Sequence, residues 1–333
     1  MDVPLIAVLA VILVALAFDY TNGFHDAANA IATSVSTRAL TPGVALLMAA
    51  IGNFVGAHFG AKVAKTVGSG LVDLPTGGAS LGIVFAGVVG AIIWNLITWY
   101  FGLPSSSSHA LIGGLVGATL VASGTVLWGA LVESVVIPMV VSPLVGFVLG
   151  FIVMVAVLWI FRKKQPSRLN RGFRWAQTAS AAAMSVGHGM QDAAKTIGII
   201  VLALYVGGHQ SSAEHIPEWA FWTSAFVLAL GTYAGGWRII RTLGRRIIDL
   251  RPAEGFAAES VASSVLWFNA LVLGAPISTT HTITSAIMGV GATKKLSAVR
   301  WGVAGNIVGA WILTFPAAGT MAALVYFAVR PLF

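Results

Sequence analysis

Five polar residues, Asp19, Asn22, His25, Asp26 and Asn29, stand within 11 residues at the end of the chain's first apolar run. Ionisable groups in such surroundings are costly enough to point to function. Clusters of oxygen ligands bind hard cations. Asp26 and Asn29, three residues apart, share one face of a helix and offer a carboxylate and an amide carbonyl to an ion such as Na+. Asp26 is equally able to carry a proton, and read alone the cluster also suits a water-exposed N-cap at a helix start. A second constellation, His188-Gly-Met-Gln191-Asp192-Ala-Ala-Lys195, sets an ammonium three residues beyond a carboxylate. There Lys195 either neutralises Asp192 in place of a bound cation, contacts an anionic substrate, or only supports packing. The cation-ligand candidates are therefore Asp26, Asn29, Asp192, Asn22 and Gln191, with Na+ or H+ as the coupling ion.

Hydroxyls supply the complementary chemistry. Pro104-Ser105-Ser106-Ser107-Ser108-His109 and Pro276-Ile-Ser278-Thr279-Thr280-His281 each separate two apolar stretches. Each should end one helix and open the next with hydroxyl caps and unsatisfied backbone N–H groups, a start that attracts anions. Two such tips facing each other would enclose a tetrahedral oxyanion; the alternative is a pair of ordinary capped turns at the membrane surface. Ser105, Ser106, Ser107, Ser108, Ser278, Thr279 and Thr280, with Asp26, Asp192 and Lys195, are the substrate-binding candidates. His109 and His281 are read evenly as site residues or as hydrogen-bonded core residues. An anion held by helix ends becomes compatible with nearby carboxylates once cations or protons occupy them, which is the electrostatics of coupled symport.

The elements that must position these groups are membrane helices. Of 333 residues 57% are hydrophobic, and 11 acidic and 19 basic residues are the only charges, far below the share in soluble domains. The net charge of +8 does not indicate nucleic acid, because the basic residues punctuate apolar spans instead of forming a solvated face. Zero cysteines exclude disulfides, thiolate metal sites and cysteine nucleophiles. Residues 1 to 20 are read as mature chain, since Asp2 replaces a basic n-region and no small-residue cleavage pattern follows.

The polar motifs also recur. Asn22-Gly-Phe-His25-Asp26-Ala-Ala-Asn29-Ala-Ile31 is answered by the segment from His188 to Ile197, with Asp192 166 residues after Asp26. Lys65 to Leu74 is echoed by Arg241 to Leu250, the serine motif by Pro276 to His281, and Trp128-Gly129 by Trp301-Gly302. Polar residues recurring in one order indicate duplication: residues 1–161 form a first repeat, 162–174 a basic linker, and 175–333 a second repeat of one integrated transport unit. Loop charge sets orientation, since short basic loops stay cytoplasmic. Three loops of the second half, including Arg162 to Arg174, are more basic than their counterparts, and the pair formed by the Arg38 loop and the acidic loop Gly207 to Glu218 reverses the order. The Ser123 to Thr125 loop opposite Lys294, Lys295 and Arg300 is uncharged. All four pairs fit an inverted repeat with the N-terminus outside, as in many secondary transporters; Arg330 near the C-terminus is the one charge against it.

The expected architecture is all-α, a polytopic membrane protein with about 10–12 membrane segments. Pro138 and Pro316 should divide or sharply bend their runs. The stretches after Asp26, Ser108, Asp192 and Thr280 reach only about 20 to 24 Å at 1.5 Å per residue, too short for a bilayer, so broken or re-entrant helices are expected after each. The arginine-rich elbow at 238 to 251 reads as an interfacial helix whose leucine and isoleucine side chains face lipid.

The quoted motifs resemble the PiT family of inorganic phosphate transporters, whose paired signatures are similar to Gly-x-Asn-Asp-x-Ala-Asn-Ala and His-Gly-x-Asn-Asp-Ala-Gln-Lys-Thr. Asn22 to Ala30 is close to the bacterial low-affinity form, with His25 for the asparagine before the aspartate. The second departs further, with Gln191 for that asparagine and Ala194 for the glutamine before Lys195. The resemblance covers essentially the whole chain. It implies import of orthophosphate across the cell membrane with Na+ or H+, in some bacterial members as a neutral metal–phosphate complex, and no resident cofactor. It implies that Asp26, Asn29, Asp192 and the hydroxyl motifs line the substrate and cation sites, and that the protein dimerises, of which no signal is visible in the sequence. Sulfate permease is the related alternative. A membrane phosphatase is the alternative from another class, but only Pro-Ser-Ser-Ser-Ser-His faintly resembles its signature, and neither a Lys-x6-Arg-Pro run nor a zinc-protease motif is present. A passive channel is disfavoured by paired aspartates among broken helices.

Overall fold

The computed structural model describes residues 4–122 and 124–333, without the side chains of 166–168. The expectations for Met1 to Val3, Ser123 and the Arg168 side chain lie outside the described residues.

Among the described residues, regular structure is helical apart from one two-residue antiparallel ladder. The first half runs through α1 (Leu5–Ser36), α2 (Pro42–Ala57), α3 (Ala61–Ser69), β1 (Val72–Asp73), α4 (Gly78–Phe101), α5 (Ser107–Val121), β2 (Thr125–Val126), α6 (Trp128–Leu131) and α7 (Ile137–Phe161). The second runs through α8 (Pro166–Val206), α9 (Glu218–Ala234), α10 (Trp237–Arg241), α11 (Pro252–Phe268), α12 (Thr279–Ala292) and α13 (Trp301–Val329). Val72 pairs with Val126, tying the end of α3 to the start of α6.

Six helical stretches are long and apolar enough to cross a membrane, and α2 with α3 makes a further span bent by 69°. With the shorter helices α5, α9 and α12, of 15, 17 and 14 residues, this is the polytopic all-α protein expected, at the lower end of its segment range. Burial separates the roles of the long helices. The apolar window of α8 is 89% buried and that of the stretch 128–161 only 17%, so α8 is a central shaft while α7 presents Leu144, Val148, Ile152 and Trp159 outward, as a lipid-facing helix must.

Three expectations are corrected. The helices do not break after Asp26 or Asp192: α1 runs unbroken for 32 residues and α8 for 41, each straight through its motif. Alanine-rich motifs without proline keep good helix propensity, and their glycines serve contact. A Cβ on Gly23 would stand 2.6 Å from the Leu228 carbonyl oxygen of α9, and one on Gly189 would stand 2.3 Å from that of Asn53 on α2. The prolines do not divide their runs either. Pro138 falls in the first turn of α7, after a π-turn at Val132–Val136 that carries the helix on from α6, and α13 continues through Pro316. At membrane depth, local adjustment of the ladder absorbs a missing N–H.

The arginine elbow is not a lipid-facing helix. It is a short helix, α10, and a π-turn at Thr242–Arg246. Ile239, Ile240, Leu243, Ile247 and Ile248 are buried in one core with Ala28, Ile31 and Ala32 of α1, while Arg241, Arg245 and Arg246 are exposed. The aliphatic side chains therefore pack on α1 instead of facing lipid, with the arginines left outside.

Packing joins the two halves. α2 lies on α8 and α9 on α1, while α13 packs against α5 and α7 against α12. Each pair takes one helix from each half.

Candidate functional site

The half-helices α5 and α12 start alike. Gly102 and Gly274 end the preceding helical segments in the left-handed region, at φ 66° and 65°, where glycine has no Cβ penalty. Ser106 then caps α5 by accepting the His109 N–H at 3.2 Å, and Ser278 caps α12 by accepting the His281 N–H at 3.1 Å. Both tips are deeply buried, with Ser105 to Ser108 and Ser278 to Thr280 at 2% exposure or less. They are not exposed turns.

Matching contacts hold these breaks from the opposite half. Thr66 on α3 donates to the Gly274 carbonyl at 2.8 Å, and Thr242, just after α10, donates to the Gly102 carbonyl at 2.9 Å. Lys62 donates to the Leu271 carbonyl at 2.6 Å and Arg238 to the Tyr100 carbonyl. The Arg238 guanidinium also lies over the Tyr100 ring, 4.7 Å from its centroid. Each short arm thus fixes the carbonyls just before the other half's half-helix.

The long helices bring their polar residues to these tips. Asp26 accepts from Ser107 at 3.0 Å through one oxygen, and its other oxygen lies 2.6 Å from His25 Nδ1. His25 Nε2 is 3.0 Å from the Thr98 hydroxyl and 3.3 Å from that of Ser105. Asp192 sits between Lys195 at 2.5 Å and His188 at 2.9 Å, and the Lys195 ammonium also donates to Ser108. Asn29 donates to Thr279 at 3.1 Å and to Thr280 at 2.9 Å. One ligand atom each from Asp26, His188 and Asp192 fall within 4.8 Å of one another. Two carboxylates from different halves therefore meet inside the molecule, with one ammonium beside them and hydroxyls from both half-helices. Such a cluster is suited to an oxyanion and a cation together.

Not every candidate joins it in the same way. Gln191 gives its amide to the loop before α12, donating to the Ala275 carbonyl and accepting the Ile277 N–H, both at 3.3 Å. Ser106 and Ser278 act as caps. Asn22 is wholly buried, and among the described residues neither of its amide atoms has a hydrogen-bond partner. Among the described residues the ring nitrogens of His109 and His281 have no hydrogen-bond partner. The rings pack edge-to-face at 4.7 Å, with His281 stacked on Trp311 at 3.9 Å, so aromatic contact takes the place of the expected hydrogen bonds.

His188, Thr98 and Asn53 were not among the candidates. His188 lies four residues before Asp192, one turn along the same helix face, and that spacing was a usable signal. The Asn53 amide oxygen accepts from His188 Nδ1 at 3.0 Å and its amide nitrogen donates to Thr232 at 2.7 Å, contacts that only tertiary packing reveals. A separate buried carboxylate, Glu259, accepts from Thr33, from Ser180 at 2.6 Å and from Gln177 at 3.4 Å. Its oxygens are satisfied.

Known proteins resemble the chain along most of its length. Residues 22–322 match the phosphate transporter family. A "Probable low-affinity inorganic phosphate transporter" of Rhizobium meliloti (strain 1021) is 49% identical over 323 residues, 96% of each chain. A protein of the same description from Bacillus subtilis (strain 168) is 42% identical over 335 residues, covering 100% of both chains. The solved structure "The sodium-dependent phosphate transporter" superposes with a TM-score of 0.90 at 24% identity, over 98% of this chain and 100% of that one, which establishes a common fold. Fold and relatives are those of transporters, and the membrane-phosphatase alternative is set aside. The chain is a multi-pass membrane protein that belongs to the phosphate transporter family, as its PiT-like signatures suggested.

Proposed function

We propose that the protein imports inorganic phosphate across the cell membrane by symport with a cation, Na+ or H+, through alternating access of two inverted halves, 1–161 and 175–333. The observation that carries this reading is the meeting of Asp26 and Asp192 with Lys195 at hydroxyl-lined tips of two buried half-helices. Two carboxylates and one ammonium leave an unfilled site unfavourable for a dianion. A cation or proton at Asp26 removes that repulsion, so anion and cation favour each other's binding. Ser107, Ser108, Thr279 and Thr280 supply donors to phosphate oxygens, and Lys195 moves from Asp192 toward the anion. The matching arms at Thr66 and Thr242 give each half the same hold on the other, as alternation between two equivalent arrangements requires. The names of the relatives support phosphate, and that of the structural neighbour supports a cation.

Sulfate has the same shape, but phosphate keeps a proton at neutral pH, for which Asp26 is an acceptor. The test is uptake of labelled phosphate into proteoliposomes under separately imposed Na+ and H+ gradients, with sulfate as competitor. Uphill accumulation with one gradient, unaffected by sulfate, is expected. Equilibration without accumulation would mean a channel, and equal competition by sulfate would mean a general oxyanion carrier.

A further inference from the structure

Asp19 lies outside the constellation just described. On α1 it begins the series Asp19, Asn22, Asp26 and Asn29, spaced so that all four project from one face. Seven residues separate it from Asp26, about 10 Å along the helix axis. Asp19 is wholly buried, and among the described residues it belongs to no ion pair. Among the described residues both amide atoms of Asn22 lack a hydrogen-bond partner, and the hydroxyls of Thr196 on α8 and Ser224 on α9 have none other than the Asp19 carboxyl itself. These three side chains are wholly buried as well. Thr196 and Ser224 turn their hydroxyls toward the Asp19 carboxyl, and Asp192 and Lys195 are the charged groups that act on it from α8. α4, which also packs against α1, carries no charged side chain.

A carboxylate in such a place, with only neutral hydroxyls beside it, is costly unless a proton or a cation accompanies it. The available donors are all hard oxygens: two from the carboxylate, one from the amide and two from hydroxyls, the set that suits alkali and alkaline-earth ions. A single negative charge matches a monovalent ion, whereas a divalent ion would leave a net positive charge in the interior. We propose that Asp19, Asn22, Thr196 and Ser224 form a Na+ site distinct from the Asp26–Asp192 centre. A cation there offsets the repulsion between Asp19 and Asp192 and so favours the arrangement that holds substrate. That coupling role rests on the carrier reading above; the existence of the site does not.

The test is equilibrium binding of radiolabelled Na+ to the full-length protein in detergent, for the wild type, Asp19→Asn, Asp26→Asn and Thr196→Val. Asp19→Asn should bind one Na+ fewer than wild type, Asp26→Asn should keep that ion, and Thr196→Val should weaken it about tenfold. Unchanged stoichiometry in Asp19→Asn with unchanged affinity in Thr196→Val overturns the site. So does a loss in Asp19→Asn that appears only as one proton fewer, with Na+ binding intact. If Asp19→Asn does not fold, Thr196→Val decides alone, and affinity equal to wild type overturns the site. Phosphate uptake by the same preparations separates the two claims. Wild type that binds the Asp19 ion but carries no phosphate ends the carrier reading and keeps the site; phosphate uptake with no ion at Asp19 does the reverse.

Discussion

Lys195 is the residue on which the charge balance of the site turns. Its ammonium holds Asp192 and Ser108 together in a wholly buried position. Removing one partner of such a pair leaves an uncompensated charge and costs about 3–5 kcal/mol. Lys195→Met should therefore lower the thermal unfolding midpoint in detergent markedly, and an unchanged midpoint would mean that the ammonium does not neutralise Asp192. The residues that carry charge balance were legible in the sequence because a carboxylate or ammonium in an apolar chain is too costly to be incidental. The uses of the uncharged polar groups were not. Gln191 looks like a ligand and holds a loop, Ser278 looks like a substrate contact and caps a helix, and Thr98 looks ordinary yet lies against His25. What a hydroxyl or amide meets depends on the neighbouring helix, and no local pattern encodes that.

At the scale of elements, the sequence marks α5 and α12 well, because a glycine stop, a proline and a serine cap fall together in each. It misleads on α1 and α8, where polar residues imitate a helix end. In the fold those residues face other helices, so the backbone has no reason to leave the helix and its small residues become points of close approach. Gly23 is the clearest case. Gly23→Val would drive its side chain into the α9 backbone at Leu228 and Thr232, and overpacking of this kind costs about 1–3 kcal/mol. The expected result is a lower unfolding midpoint and a lower yield of folded protein, while Gly43→Ala, where an added Cβ meets nothing within 4 Å, should leave both unchanged. Equal behaviour of the two variants would remove the close α1–α9 contact from consideration. The elbow at 238 to 251 shows the same limit: its alternation of basic and aliphatic residues fits either a lipid surface or a protein core, and only the position of α1 decides between them.

At the scale of the molecule, helices from the two sequence halves pack on one another, with α2 on α8, α9 on α1, α7 on α12 and α13 on α5. The halves cannot separate without uncovering one another's cores. Orientation is testable directly, because the chain has no cysteine and single introduced thiols report without background. With a membrane-impermeant reagent on intact cells, a cysteine at Gln210 should react, and one at Lys164 should react only after permeabilisation; the opposite pattern would reverse the topology. The central claim is that carboxylates from both halves act together in coupling. It is tested most directly by phosphate uptake into proteoliposomes under an imposed cation gradient, comparing wild type with Asp26→Asn and Asp192→Asn proteins that remain folded. Cation-driven accumulation by the wild type and its loss in each single variant is the predicted result; full accumulation by either variant would contradict it.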